Sequence, residues 1–187
     1  MGMKYLTLVR HAKSNWDDTM LSDHDRPLNE RGSRSAPMVG KFLSKTYFGS
    51  NGTPALLARP DRLISSTARR AAETAALMAT EMDTVPAVLE ANLYLAEPKT
   101  IMQLIRKLDD CWKHVMIFAH NPGISAFADR LVNRGEVYDM PTCAAALIEL
   151  PWDSWSAIDW EEGRLIGFVT PRLIEKRFAE KTIPVGE

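Results

Sequence analysis

Apolar residues along the chain follow two alternating patterns: short unbroken runs, and longer stretches where they return every three or four positions. Short runs rich in β-branched or aromatic residues suit strands buried on both faces, whereas the longer period suits an amphipathic helix. "KYLTLVR" (4–10), "RLISS" (62–66), "HVMIFAH" (114–120), "CAAALIEL" (143–150) and "GRLIGFVTP" (163–171) read as strands, and "VPAVLE" (85–90) as a short strand or extended segment. After the turn chemistry of "DRPLNERG" (25–32), a helix capped by Asn29 runs to about Lys45, with Pro37 either near its true start or kinking it. "TARRAAETAALMATEM" (67–82) is Ala-rich, with an apolar face through Ala68, Ala71, Ala75, Met78 and Met82. "PKTIMQLIRKLDD" (98–110) opens on Pro98, and "PGISAFADRLVN" (122–133) is the last helix of the pattern.

Strands alternating with helices predict an α/β fold: a three-layer sandwich with a mainly parallel mixed sheet and helices on both faces. The length of 187 residues suits a single domain over residues 1–187. In such sheets a ligand sits beyond the carboxyl ends of the strands.

Composition narrows the chemistry. A net charge of -1 with 25% charged residues gives no global footprint for nucleic acid or an anionic membrane. Affinity for a phosphate group must then come from a few local cations. Cys111 and Cys143 are too few for a disulfide scaffold and lack metal-ligand spacing, so reduced thiols and a cytoplasmic location are expected. No signal peptide and no bilayer-length apolar run is visible, and no glycine-rich nucleotide loop is present.

What ends the strong strands is informative. The first ends in Arg10-His11. The second ends in Ser65-Ser66 and runs into a helix with Arg69 and Arg70 in its first turn. The fourth ends in His120, followed by Asn121-Pro122-Gly123. Singly, each feature suits a solvated strand end or a capped helix. If the strands are parallel neighbours, Arg10, His11, Arg70 and His120 converge on one edge, joined by the N–H donors of helix N-termini. Two guanidiniums and two imidazoles there describe a phosphate pocket with a nitrogen nucleophile.

"LVRHAKSNW", "ISSTARRAAETA" and "AHNPGIS" together resemble the histidine phosphatase superfamily. Its marks are an Arg-His-Gly signature, a Ser-Ser-Pro-x-x-Arg-Ala-x-x-Thr helix entry and a later Gly-His. Here Ala12 stands for the first glycine, Thr67 for the proline, and Ala119 precedes the second histidine. "RHAKS", "DRPLNERG" and "HNPG" are most similar to its short bacterial branch, the SixA-like phosphohistidine phosphatases, whose last strand "GRLIGFVTPRLI" (163–174) fits.

The resemblance implies a phosphoglycerate mutase-like fold and a hydrolase with His11 as the transiently phosphorylated nucleophile. It implies that Arg10 and Arg70 bind the phosphoryl oxygens and that His120 completes the pocket. Ser14 and Asn121 fall among the substrate-binding residues. Arg70 rather than Arg69 fits the register, because Arg70-Ala71 and Thr74 match Arg-Ala-x-x-Thr. No cofactor or metal is implied, and "WDDTMLSDHD" (16–25) reads as an acidic surface loop. A general acid is not assigned, since Glu90 and Glu97 fit no pattern. The implied partner is a phosphohistidine-bearing protein of bacterial phosphorelay signalling. The alternatives are a small-molecule phosphomonoesterase and a non-catalytic phosphate-binding module. Trp152, Trp155 and Trp160 read as a core plug beside the last strands rather than a partner surface.

Overall fold

A computed structural model describes residues 2–49, 54–132, 135 and 137–181. The six apolar runs form one sheet from β1 (Lys4–Arg10), β2 (Arg62–Ser66), β3 (Val88–Glu90), β4 (His114–Ala119), β5 (Ala145–Leu150) and β6 (Arg164–Val169). The strand order is β3-β2-β4-β1-β5-β6. The first four of these are mutually parallel, while β5 is antiparallel to β1 and β6 to β5. Among the described residues five α-helices accompany them: α1 (Glu30–Thr46), α2 (Arg69–Met82), α3 (Pro98–Ile105), α4 (Gly123–Leu131) and α5 (Pro171–Lys181).

The unbroken apolar runs now have a cause, because side chains of a strand alternate between faces and both faces are covered. Leu6, Leu8, Val115 and Ile117 point to the layer of α3 and α4, where they meet Ile101, Phe127 and Leu131. Val9, Met116 and Phe118 point the other way and meet Val39, Leu43, Met78 and Met82 of α1 and α2. The result is the three-layer sandwich with a mainly parallel mixed sheet.

Asn29 caps α1, its side-chain oxygen accepting from the Gly32 N–H at 2.9 Å. The helix begins at Glu30 and runs through Pro37. Gly32 lies so close to the Lys13 carbonyl that a Cβ would collide with it. Glycine at this place brings α1 against the segment that follows β1.

Several boundaries differ from the sequence expectation. Helix α3 stops at Ile105, not near residue 110. Lys107 and Leu108 turn back with short-range bonds to Leu104 and Ile105, and the Asp109 and Asp110 carboxylates accept from backbone N–H groups of Cys111 and Trp155. Such side-chain bonds compete with continuation of a helix. Only Val88–Glu90 of the third run pairs. The fifth begins at Ala145, because Cys143 has a φ of 65° and gives its N–H to the Arg10 and His11 carbonyls. Residues 171–174 are helical rather than part of the last strand. Pro171 opens α5 and the Thr170 hydroxyl accepts from the Leu173 N–H at 3.2 Å, which is a helix start. Helix α4 ends at Leu131; the expected last position, residue 133, lies outside the described residues.

The tryptophans form the expected plug. Trp155 is fully buried and donates to the Trp112 carbonyl at 2.9 Å. Trp152 and Trp160 pack against the same core, Trp160 edge-on to Phe127. Among the described residues no helix is long and apolar enough to cross a membrane.

Candidate active site

The chemistry-bearing strand ends do meet. Strands β1 and β4 pair in parallel with Arg10 opposite Ala119, and the His11 N–H donates to the Ala119 carbonyl at 3.1 Å. His11 and His120 therefore leave the sheet side by side, with ring centroids 5.0 Å apart. On the far side of β4, β2 ends in Ser66 and the chain turns into α2, whose Arg70 reaches back over both rings. A cleft of about 300 Å³ is lined by Arg10, His11, Ser14, Arg70, His120 and Asn121.

Each imidazole has one nitrogen committed to the scaffold. His11 Nδ1 lies 2.7 Å from the Ala12 carbonyl, an acceptor that requires the proton on Nδ1. Its Nε2 keeps a lone pair, 3.3 Å from the Arg70 Nε–H. His120 Nε2 lies 2.7 Å from the Ser66 hydroxyl, and its Nδ1 faces Arg70 Nη2 at 3.3 Å. Since guanidinium only donates, Nδ1 is the acceptor and Nε2 carries the proton to Ser66.

Electrostatics keep both rings neutral. Burial first, and then the charges of Arg70, Arg10 and Arg26, bring His11 down to about 4 against the pull of the Ala12 carbonyl. Burial, then His11 and Arg70, bring His120 to about 3. Desolvation leads in both, since it disfavours the charged imidazole before any neighbouring charge acts.

The helix-entry motif acts through the backbone. The buried Thr74 hydroxyl accepts from the Ala12 N–H at 3.0 Å and donates to the Arg70 carbonyl at 2.6 Å. One side chain thus ties the segment carrying His11 to the turn carrying Arg70. Arg69 points away and pairs with Glu73 at 2.8 Å. Glu73 in turn accepts from the Leu28 N–H, fixing the "RPLN" turn (26–29). Helix N-termini supply less than expected: the Arg69 N–H goes to the His24 carbonyl, and the Ile124 N–H to that of His120.

Asn121 lines the cleft, but both its Nδ2 contacts go to Asp139 and the Met140 carbonyl, and its oxygen accepts from Ser125. It braces the 139–142 segment, whose Met140 carbonyl accepts from Arg10 Nη1 at 2.7 Å. Ser14 is buried at the cleft wall, bridged to Leu28.

The 16–25 loop is more than acidic surface. Asp23 accepts from Arg70 Nη2 at 2.9 Å and from the Tyr94 hydroxyl at 2.8 Å, and pairs with Arg26. Burial pushes the Asp23 carboxyl up, yet Tyr94, Arg70 and Arg26 outweigh it and hold the group at about 2. His24 bonds the Thr67 hydroxyl at 3.0 Å, so the residue that replaces the motif's proline anchors this loop. Sequence reasoning passes over Asp23, Arg26, Ser66 and Tyr94 as site residues; only the "RPLN" and Ser65-Ser66 turns hint at two of them. Glu90 caps the 91–93 turn and borders a different cavity beside α3, and Glu97 precedes α3.

A neutral nitrogen nucleophile facing fixed guanidiniums suits attack on an electron-poor phosphorus, with the cations stabilising charge on its oxygens. Comparison with known proteins agrees. Residues 6–112 match the histidine phosphatase superfamily (branch 1). An uncharacterised protein of Mycobacterium tuberculosis is 32% identical over 173 residues, covering 88% of this chain and 100% of the relative. A protein of Agrobacterium tumefaciens assigned as the phosphohistidine phosphatase SixA superposes with a TM-score of 0.74 at 25% identity, over 90% of this chain and 98% of that one. Mycobacterial glucosyl-3-phosphoglycerate phosphatase shares the fold at a TM-score of 0.63 and 17% identity, over 88% of this chain and 97% of its own. With more than half of its length matched to the family, and the strand-end histidines and arginines gathered in one cleft, the chain belongs to the histidine phosphatase superfamily.

Proposed function

We propose that the chain is a phosphatase working through a phosphorylated His11, with protein phosphohistidine as its substrate. His11 Nε2 attacks phosphorus as the P–N bond of the substrate breaks, and the leaving imidazole keeps its electron pair. Water then attacks the phosphorus on His11, giving inorganic phosphate and the free imidazole. Arg10 and Arg70 bind the phosphoryl oxygens throughout, and His120, oriented by Ser66, borders the same group.

The observation that carries the substrate class is the state of Asp23. Among the described residues it is the only carboxylate lining the cleft, and Tyr94, Arg70 and Arg26 hold it ionised, at about 2. A proton donor for an alkoxide would need a pKa near the working pH, where general acids contribute about 10²–10⁴-fold. An imidazole leaving group carries its own proton near neutral pH. Exposed Trp16 and Leu95 at the cleft, with exposed Met20 on the 16–25 loop, suit a macromolecular surface around the phosphoryl group.

Two measurements test this. Label from a phosphorylated substrate, acid-labile and base-stable, is trapped on wild type and absent from His11→Ala; label persisting in that variant removes His11 as nucleophile. Across substituted phenyl phosphates the rate rises steeply as leaving-group pKa falls, with phosphohistidine protein the best substrate. A flat dependence that becomes steep in Asp23→Asn would make Asp23 a general acid and the chain a small-molecule phosphatase.

A further inference from the structure

The cleft opens into a collar of exposed apolar side chains that the chemistry does not use. Met20 is 90% and Tyr138 89% exposed, and Trp16, Leu21 and Leu95 are exposed as well. Trp16 and Leu95 line the cleft itself. Met20 and Leu21 lie between two lining residues, Trp16 and Asp23, and Tyr138 adjoins Asp139, which holds the cleft residue Asn121. Monomeric proteins rarely gather large apolar side chains on one face unless a partner covers them.

The collar is braced rather than loose. Trp16 stacks on the Arg26 guanidinium, and the Met20 N–H donates to Asp18 Oδ1 at 2.9 Å. Asp23 ties the same loop to Arg70 and Tyr94. On the other segment, Asn121 Nδ2 donates to Asp139 at 2.7 Å. Side chains displayed on a fixed backbone spare a partner much of the ordering cost of binding.

Charge is arranged in two zones. The lining holds four cations, Arg10, Lys13, Arg26 and Arg70, against the one carboxylate of Asp23. Outside it, the 16–25 and 138–142 segments carry Asp17, Asp18, Asp25 and Asp139, all exposed, and neither segment contains a lysine or arginine. The imidazole there, His24, is engaged by Thr67 and Asp25. Nearby, Arg69 is paired with Glu73, and Glu97 is offset by Lys99, so the sign of the rim stands. A complementary partner carries negative charge at its centre and positive charge around it, with apolar side chains between.

We infer that the collar docks a protein segment whose phosphohistidine is surrounded by lysine or arginine and by apolar side chains. This rests on the phosphohistidine reading of the cleft. The phosphoryl group enters the cationic lining, apolar side chains of the partner cover Met20, Leu95 and Tyr138, and its cations meet the four aspartates. A segment with carboxylates around its phosphohistidine meets like charge at the rim, so the ring selects partners as well as holding them. A small phosphate ester reaches the lining without engaging the collar.

The test is steady-state hydrolysis of two short peptides, each with a central phosphohistidine, one flanked by lysine and leucine and the other by glutamate and leucine. In wild type kcat/KM should be about tenfold or more higher for the lysine peptide, the scale of electrostatic steering at low salt. The gap should close toward about 1 M salt, where charges more than about 3 Å apart are screened. Asp17→Lys with Asp18→Asn, which keeps the acceptor for the Met20 N–H, should erase or invert the preference. Met20→Ser with Tyr138→Ser should lower kcat/KM on the lysine peptide about fivefold or more, the scale of a contributing interface side chain. The same pair should leave phenyl phosphate hydrolysis and the melting temperature unchanged. Equal cleavage of the two peptides, a preference for glutamate, or either pair of substitutions behaving as wild type on the peptides overturns the docking collar and leaves the phosphohistidine reading standing. Cleavage of phenyl phosphate but of neither peptide would bring down that reading instead.

Discussion

Replacing Thr74 with valine removes a hydroxyl from a fully buried position while leaving the outline of the side chain nearly intact. Two bonds go: the Ala12 N–H loses its acceptor at 3.0 Å, and the Arg70 carbonyl loses a donor at 2.6 Å. The second loss is small, because that carbonyl lies within the first turn of α2. The first is not, because the Ala12 amide is buried and its removal from water is then uncompensated. An unsatisfied buried donor costs about 1–3 kcal/mol. For a chain of this size each kcal/mol shifts the melting temperature by about 2–4 °C, so Thr74→Val should melt roughly 2–12 °C below wild type. Activity should fall as well, mainly in kcat, since Ala12 also supplies the carbonyl that fixes the His11 tautomer. Thr74→Ser keeps the hydroxyl and separates the bond from the lost methyl. Thermal melts and steady-state kinetics on the three proteins decide it. A valine variant as stable and active as wild type, or a serine variant equally damaged, would refute the account.

The arginine register makes a second prediction: Arg70→Ala should lose about 3–4 kcal/mol of transition-state stabilisation, the scale of a strong oxyanion donor, whereas Arg69→Ala should barely change kcat/KM. Equal losses in kinetic assays would show that the register is wrong. Stability should also depend on pH through the buried imidazoles. His11, His114 and His120 sit at about 4, 4 and 3 in the folded chain, all lowered first by burial, against an ordinary value of 6.5. Below 6.5 the unfolded chain therefore binds more protons, so their contribution is whole above 6.5 and is lost as pH falls toward 4. Urea midpoints measured from pH 8 to pH 4 should fall across that window; a flat profile would contradict the burial of these rings.

Much of this was legible in the chain before any coordinates. Strands β1 and β4 announce themselves because parallel strands covered on both faces need no polar positions, and their ends are therefore conspicuous when they turn cationic. Arg70 could be separated from Arg69 because Arg70-Ala71 and Thr74 match the Arg-Ala-x-x-Thr of the family the chain resembles, and residues four apart share one helix face. Asp23, Arg26 and Tyr94 could not be read in this way. They reach the cleft from loops with no period, and Asp23 meets Arg70 across 47 positions of sequence. The carboxylates of residues 89–98, Glu90 and Glu97, stay away from the cleft, whereas the same segment brings Leu95 to its lining and the Tyr94 phenol to Asp23. Helix α5 is hidden in the sequence for a different reason. Its Thr170-Pro171 start is a legible signal, but it follows an apolar run without a break.

The His11 N–H bond to the Ala119 carbonyl sets a ruler for the site. Neighbouring strands in any sheet lie about 4.7–4.9 Å apart, and the two imidazoles stand 5.0 Å apart. The ladder thus sets the backbones of His11 and His120 side by side at the strand spacing, one residue past the sheet's edge. A dimension inherited from backbone hydrogen bonding does not drift when outlying loops lengthen, shorten or change composition. Substrate choice can then be rewritten in the 16–25 and 139–142 segments while the two backbones stay where the ladder puts them.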